Sequence, residues 1–192
     1  GVAGVSASQV EIQSGIQFYD GITTAEIQEI LIKSASDLID LENPNYQFVA
    51  ARLLLFSVRK SLYGRCRDIP SLEDHIIKCV GQEVYDAEIY DKYSKEDIEK
   101  ANGYIDHDRD FMFTYAGLRQ VVDKYLVQDR STGQVYETPQ FMYMMIALTI
   151  FANYPKEKRL NYVRRYYNAI SRHRLNIPTP IMAGVRTPIR QF

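Results

Sequence analysis

The chain has 192 residues, 46% of them hydrophobic, and its 23 lysines and arginines nearly balance 24 aspartates and glutamates. This balance excludes a generally basic nucleic-acid coat and a disordered polyelectrolyte, and the length suits one large domain, or a large one with a small one. The two cysteines, Cys66 and Cys79, are too few for a disulfide scaffold, and with three histidines and no CxxC pair they form no recognisable zinc motif.

The first third of the sequence has the pattern of three helices. Ser6 with Gln9, and Thr23 with Glu26, have the spacing of capping boxes and predict the starts of two helices. Gly64 follows a third apolar stripe and ends that helix. The predicted helices cover about 7–19, 23–40 and 45–63.

Shorter helices and one hairpin are predicted after a connector over 65–70. Serine caps and apolar spacing mark the helices. They are predicted over about 71–80, 94–102 and 111–124. The segments 125–128 and 134–137 flank a glycine-containing loop, which is typical of a β-hairpin.

Prolines organise the last third of the chain. Thr138-Pro139 opens an apolar helix that reaches Phe151 and is too short to span a membrane, and Pro155 opens a largely basic helix. Three later prolines predict that 177–192 is extended or looped and needs another partner to cover it. No export signal opens the sequence, so we expect free thiols in a reducing cytosol.

The densest ionisable cluster is Asp106-His107-Asp108-Arg109-Asp110. Three carboxylates and an imidazole are chemically able to ligate a divalent ion. Consecutive side chains on a helix point around it, however, and Arg109 supplies a countercharge. The pattern therefore favours a structural ion-pair network over a metal site.

Basic residues concentrate near the end of the chain. From Asn153 to Phe192 nine basic residues oppose the single acid Glu157, a net charge of +8. A basic helix face over 156–174 suits a noncatalytic interaction module that holds an acidic protein or RNA, although such charge is also typical of a solvated surface. The nine residues are Lys156, Lys158, Arg159, Arg164, Arg165, Arg172, Arg174, Arg186 and Arg190.

Spacing alone reveals no catalytic constellation, because there is no glycine-rich phosphate loop, HExxH motif or recognisable nucleophile pattern. Five segments nevertheless resemble, in order and nearly end to end, the N-terminal part of class I ribonucleotide reductase large subunits of bacteria and phages. They are Gln17-Phe18-Tyr19-Asp20-Gly21-Ile22, Tyr46-Gln47 with Ala50-Ala51-Arg52, Ile105 to Asp110, Lys124 to Gln128, and Pro178-Thr179-Pro180-Ile181-Met182 through Arg186-Thr187-Pro188 to Arg190-Gln191-Phe192.

The resemblance implies a mainly α-helical fold in two parts. Residues 1–64 would be the C-terminal helices of an ATP cone, the regulatory module whose nucleotide sets overall activity. Residues 65–192 would be the N-terminal helical domain of the large subunit, with one β-hairpin and a segment entering the first strand of a barrel. The earlier part of the cone and the barrel would lie outside this chain.

The resemblance also implies contacts to the effectors ATP and dATP. The family's activity-site threonine and lysine fall on Thr24 and Lys60, with Phe56 nearby, and a hydroxyl at a helix start and a point charge both suit phosphate. Gln28 and Ser57 stand where some bacterial relatives carry histidines. This departure leaves the response to dATP open.

The family's activity is the reduction of ribonucleoside diphosphates to 2'-deoxyribonucleoside diphosphates through a thiyl radical and a dithiol. The threonine that binds the substrate's diphosphate falls on Thr179, whereas the catalytic cysteines would follow Phe192 and match neither Cys66 nor Cys79. This chain alone is therefore expected to be inactive. The implied partners are a second large subunit, a small subunit that carries the metal-radical cofactor, and thioredoxin or glutaredoxin.

Overall fold

The computed structural model describes residues 2–189. These residues are mainly helical, as predicted, and the chain forms two compact units. A 3-10 helix over His107–Met112 precedes α7, and a π-helical turn over Val121–Tyr125 follows it. The α-helices are α1 Ala7–Gly15, α2 Thr24–Asp37, α3 Tyr46–Tyr63, α4 Leu72–Gly81, α5 Ile89–Lys92, α6 Lys95–Asn102, α7 Tyr115–Gln120, α8 Pro139–Ile150, α9 Lys156–Ile170 and α10 Thr179–Gly184.

The first unit comprises the chain up to Cys66 together with Asp110–Gln120. Helix α2 packs against α1 and α3, and α7 packs against α3. A buried ion pair connects the two chain segments of this unit, because Arg59 Nη2 donates to Asp110 Oδ2 over 3.0 Å and both side chains are almost fully buried. The guanidinium group of Arg59 also lies 5.5 Å from the ring centroid of Phe111.

Of the two capping boxes predicted in the first unit, one is confirmed. At α2 the amide of Glu26 donates to the Thr23 hydroxyl over 3.2 Å, and the amide of Thr23 donates to the Glu26 carboxylate over 2.8 Å. At α1 the Ser6 side chain makes no capping bond. The hydroxyl of the buried Tyr46 donates to Gln9 Oε1 and accepts from the Ser6 amide, so this tertiary contact replaces the predicted box.

The second unit comprises Arg67–Arg109 and the chain from Val121 onward. Helix α6 packs against α4 and α9, and α8 packs against α9 and α10. Every side chain of α8 from Pro139 to Leu148 is buried, which confirms the prediction of a helix that is apolar on nearly all sides. No helix within residues 2–189 is both long and apolar enough to cross a membrane.

The predicted β-hairpin is reduced to one antiparallel bridge between Gln128 and Val135. Residues 2–189 contain no extended strand, so the prediction of paired strands over 125–128 and 134–137 is wrong in extent. The physical reason is competition for backbone partners, since the Val127 amide donates to the Glu137 carboxylate over 2.7 Å.

The predicted helix over 111–124 is interrupted. The 3-10 helix ends at Met112, α7 begins at Tyr115, and the chain continues into the π-helical turn after Gln120. Thr114 supplies the new start, because its backbone oxygen accepts from Leu118 over 2.9 Å and its hydroxyl accepts from Gly117 over 3.3 Å. A threonine between two aromatic-rich stretches is the local signal for this break.

The tail also differs from its prediction of an extended or looped segment over 177–192. Thr179–Gly184 is a short helix, and Pro180 is accommodated because a proline in the first helical turn removes an amide that has no helical partner. Arg186 is buried within the second unit, so at least this part of the tail is covered by the chain itself. The predicted end at Arg190-Gln191-Phe192 lies outside the described residues.

Candidate functional site

Thr24, the predicted effector contact, is the first residue of α2 and is exposed. The capping box already occupies this helix start, because the Glu26 carboxylate accepts from the Thr23 amide over 2.8 Å and from the Thr23 hydroxyl over 2.7 Å. These hydrogen bonds lower the pKa of Glu26, so its carboxylate is negative at neutral pH. A phosphate beside Thr24 would have to displace or tolerate this charge.

Phe56 and Lys60 lie on α3, one helical turn apart on the same side. Lys60 is exposed, whereas Phe56 is half-buried and packs edge-on against Phe111 with ring centroids 6.1 Å apart. Phe56 is thus fixed by the core of the first unit, and its backbone oxygen lies 3.8 Å from the Cys66 thiol. Lys60 offers a cation on a flexible stem.

An open groove of about 420 Å³ lies in the first unit between α2 and α3. Ser57 contributes to it from α3, next to Phe56 and three residues before Lys60. Gln28 is used elsewhere, because its amide donates to the Leu53 backbone oxygen over 3.1 Å and links the two helices. The groove is lined by Tyr19, Ala25, Glu26, Glu29, Ile30 and Ser57.

Thr179, the predicted substrate contact, is the first residue of α10 and is exposed. Its hydroxyl lies 3.4 Å from the Tyr125 hydroxyl. Thr179 belongs to the second unit, and Thr24, Phe56 and Lys60 belong to the first. The predicted site residues are therefore divided between the two units.

The segment that carries Thr179 is anchored by Arg186, whose side chain is fully buried. Arg186 Nε lies 3.1 and 3.0 Å from the two carboxylate oxygens of Glu137, which is equally buried. The remaining guanidinium nitrogens donate to backbone oxygens, Nη1 to Met182 over 2.6 Å and Nη2 to Tyr125 over 2.9 Å. One arginine thus connects α10, the π-helical turn and Glu137, which lies two residues before α8.

Glu137 is also the centre of a wider buried network. It accepts hydrogen bonds from the Tyr85 hydroxyl and the Val127 amide, and the Tyr85 hydroxyl lies 3.0 Å from His75 Nε2. Burial lowers the pKa of His75 to about 3, and its ring stacks on Phe141 with centroids 4.1 Å apart. The histidine is therefore neutral, and its role is structural.

The environment of Cys79 does not favour thiolate chemistry. Cys66 and Cys79 are free thiols, and burial raises the pKa of Cys79 to about 12, so it stays protonated. Its sulfur lies 3.7 Å from His75 Nε2 and 3.7 Å from the Tyr136 backbone oxygen. Among residues 2–189 no group of three histidine, cysteine or carboxylate side chains is arranged to hold a metal ion.

The Asp106–Asp110 cluster does form ion pairs, and its members diverge. Asp106 Oδ2 lies 3.2 Å from Arg109 Nε in the second unit, whereas Asp110 pairs with Arg59 in the first. His107 packs edge-on against Phe141 with ring centroids 5.0 Å apart. The geometry agrees with the predicted structural network.

The predicted basic face over 156–174 is smaller than its charge count indicates. Arg159 is buried, where its guanidinium donates to Asp97 over 2.9 Å and lies 4.2 Å from the ring centroid of Tyr93. Arg186, counted in the same basic segment, is also buried. Three exposed arginines of the segment, Arg164, Arg165 and Arg172, do line one surface groove.

Sequence reasoning assigned no role to Glu137. The available signal was a carboxylate directly before the Thr138-Pro139 helix start, together with an arginine in the tail segment Arg186-Thr187-Pro188. Nothing in the pattern indicated that these two residues, 49 positions apart, form a pair.

Comparisons with known proteins show what this chain is similar to. The family model described as ribonucleotide reductase, all-alpha domain, matches residues 111–190. The whole chain is 50% identical to ribonucleoside-diphosphate reductase 1 subunit alpha of Escherichia coli strain K12 and 51% identical to the subunit alpha of Haemophilus influenzae. Over 98% of the chain it is 47% identical to the subunit alpha of Enterobacteria phage T4.

The matched region is a limited part of these relatives. The chain covers 25% of the length of each of the three proteins. It therefore spans about a quarter of the curated relatives that it matches, and the aligned region includes both compact units.

Proposed function

Because the chain belongs to the family of ribonucleoside-diphosphate reductase alpha subunits, we propose that it serves in an enzyme that reduces ribonucleoside diphosphates to 2'-deoxyribonucleoside diphosphates for DNA synthesis. The observation that carries this proposal is the identity of about 50% along the full 192 residues. In this proposal the chain supplies regulatory and positioning parts, and the catalytic cysteines belong to other parts of the subunit.

The proposed division of labour follows the two predicted domains. Residues 1–64 act as the C-terminal helices of an ATP cone, and 65–192 act as the N-terminal helical domain that leads into the catalytic barrel. The support for the second assignment is the match of the all-alpha domain model of the family to residues 111–190.

Thr179 is proposed to donate a hydrogen bond to the substrate's diphosphate. Its support in the structure is the anchoring of its segment, since Arg186 holds α10 through backbone and carboxylate hydrogen bonds. A hydroxyl on an anchored segment binds with a smaller loss of conformational entropy than one on a mobile loop. In this proposal Thr179 positions the substrate and takes no part in bond breaking.

Thr24, Phe56 and Lys60 are proposed to contact the effectors ATP and dATP. Lys60 would supply a charge to phosphate, Phe56 an apolar surface, and Thr24 a hydroxyl. Their support is that α2 and α3 pack together and flank an open groove. None of the three lines the groove itself, whose lining includes the carboxylates of Glu26 and Glu29.

The proposed assembly contains two large subunits and a small radical-generating subunit with a metal-radical cofactor. Thioredoxin or glutaredoxin would restore the dithiol after each turnover. The two free thiols support a reducing bacterial cytosol, or that of a phage-infected host, as the compartment.

The substrate assignment is tested with Thr179→Val in the full-length subunit that contains this chain, assayed with its small subunit and a dithiol reductant. Loss of one hydrogen bond to a charged group is expected to lower kcat/KM for a ribonucleoside diphosphate about ten-fold. Thr179→Ser, which keeps the hydroxyl, is the matched control and retains most of the activity. Unchanged kcat/KM in Thr179→Val contradicts the contact, and absence of any reductase activity in the unmodified enzyme contradicts the proposed function.

The effector assignment is tested with Lys60→Ala in the same subunit. Removal of one exposed cation from a phosphate contact is expected to weaken ATP binding about five-fold, as measured by equilibrium titration with the specificity effector held constant. Lys33→Ala, an exposed lysine on α2 that pairs with Asp37, is the control. Equal ATP affinity in Lys60→Ala and the unmodified subunit would exclude the role.

A further inference from the structure

An arginine-rich groove in the second unit is not used by any of the proposed nucleotide contacts. The groove is open, has a volume of about 510 Å³ and lies against the exposed side of α9. No carboxylate is among the described residues that line it, and arginines give the lining a net positive charge. The lining consists of Gly103, Tyr104, Arg109, Arg164, Arg165, Asn168 and Arg172.

Two of its four arginines are already oriented. The Arg109 side chain is only 10% exposed, and its Nη1 donates to the Ser171 hydroxyl over 2.6 Å while Nε pairs with Asp106. The guanidinium group of Arg164 lies 5.5 Å from the ring centroid of Tyr104. Side chains that are held in place before binding lose less conformational entropy when a ligand arrives.

The other two arginines carry uncompensated charge. Arg165 and Arg172 are exposed, Arg165 on α9 and Arg172 two residues after its end, and Asn168 lines the groove with them. Neither forms an ion pair or a side-chain hydrogen bond with any residue that the structure describes. Their guanidinium groups are therefore available to an external anion.

The geometry points to a ligand with two or more linked phosphates, and we propose that this groove binds the polyphosphate group of a small molecule. A guanidinium fork matches phosphate oxygens in a bidentate manner. Linked phosphates concentrate several negative charges within a few ångströms, which suits the uncompensated charges of Arg165 and Arg172, whereas peptide carboxylates are spread along a backbone. The groove volume also falls within the usual range for small ligands.

The proposal is tested by arginine footprinting of the full-length subunit with phenylglyoxal at physiological ionic strength, with sodium pyrophosphate as the probe. Modification of each arginine is measured by mass spectrometry of peptides, so phosphate sites elsewhere in the subunit do not confuse the result. We expect pyrophosphate to protect Arg165 and Arg172. The exposed Arg67, which belongs to the same unit but not to the groove, is the internal control and should react at an unchanged rate.

A double variant gives the second measurement. Arg165→Gln with Arg172→Gln is expected to raise the pyrophosphate concentration needed to protect Arg164 about ten-fold. Lys156→Gln with Lys158→Gln removes the same charge from exposed positions of α9 outside the groove and should leave that concentration nearly unchanged.

Three results would overturn the proposal. One is equal protection of Arg67 and the groove arginines, which would mean nonspecific ion pairing. Another is stronger protection by a polyglutamate peptide or an RNA oligonucleotide of equal charge than by pyrophosphate, which would assign the groove to a macromolecule. The third is an equal effect of the two double variants, which would show that only net charge matters.

Discussion

Each compact unit contains a buried arginine–carboxylate pair that joins distant parts of its sequence, and the two pairs are satisfied in different ways. In the first unit Arg59 bonds to Asp110 and lies against the Phe111 ring. In the second unit Arg186 bonds to Glu137 and to two backbone oxygens, and Glu137 also accepts from a tyrosine and an amide.

The difference concerns what replaces water around a buried charge. Taking a carboxylate and a guanidinium out of water is expensive, and hydrogen bonds must restore what hydration supplied. Around Arg186 and Glu137 these bonds come from four separate chain segments. The pair therefore fixes how these segments are arranged, which no single apolar contact does. Around Arg59 an aromatic ring supplies part of the contact, and stacking on a ring is less directional than a hydrogen bond.

The largest loss of stability is expected for Arg186→Met. The substitution leaves the Glu137 carboxylate buried without its cation, and we expect a loss of about 4 kcal/mol in the free energy of local unfolding. Hydrogen exchange of α10 and 125–137 in the full-length subunit measures it. Arg174→Met, at an exposed arginine, is the control and should change the value by less than about 0.5 kcal/mol.

A second substitution tests whether the buried, unpaired carboxylate causes this loss of stability. Adding Glu137→Leu to Arg186→Met removes the stranded charge, so the double variant should be more stable than Arg186→Met alone. If the free energy lost in the double variant equals the sum of the losses in the two single variants, the buried carboxylate is not the cause of the instability. The proposed difference between the two units would then be wrong.

A smaller effect is expected for Asp110→Asn in the first unit. The amide keeps a hydrogen bond to Arg59 but removes the charge, so we expect a loss of about 3 kcal/mol, at the low end for a broken buried pair. Hydrogen exchange of α3 in the same subunit is the measurement. Asp37→Asn breaks an exposed pair with Lys33 and should cost less than about 0.5 kcal/mol. A larger loss in Asp110→Asn than in Arg186→Met would contradict the expectation that the second unit depends more strongly on its buried pair.

The smallest of these effects is a pH dependence confined to the second unit. Burial lowers the pKa of His75 to about 3, well below its usual value of 6.5, so the unfolded chain binds the proton more readily. The stability that the neutral ring contributes is complete above the unfolded pKa and is lost as the pH falls towards the folded pKa. Between pH 8 and 5 we expect a loss of about 2 kcal/mol.

His75→Gln tests this assignment, because glutamine is polar but does not titrate in this range. The difference in hydrogen exchange of α8 between pH 8 and 5, corrected for the intrinsic exchange rate, should become much smaller in this variant. An unchanged pH dependence would assign the acid sensitivity to other groups, such as His107, which also packs on Phe141.

Local patterns predicted much of the secondary structure. The capping box at Thr23, the start of α8 at Thr138-Pro139 and the end of α3 at Gly64, with φ at +70°, depend on residues within one turn of each other. The proposed nucleotide contacts had a different basis. Thr24, Phe56, Lys60 and Thr179 came from a resemblance that the relatives confirm at the level of the family, and their roles remain predictions.

The sequence by itself determined where most helices begin and end, because those decisions rest on hydrogen bonds between near neighbours. Tertiary structure alone decided that Gln9 bonds to Tyr46 instead of capping α1, that the proline-rich tail forms α10, and that Arg186 is enclosed with Glu137. These outcomes depend on which polar groups lose water together. Packing between distant segments decides which polar groups are buried together, and no short-range sequence pattern predicts it.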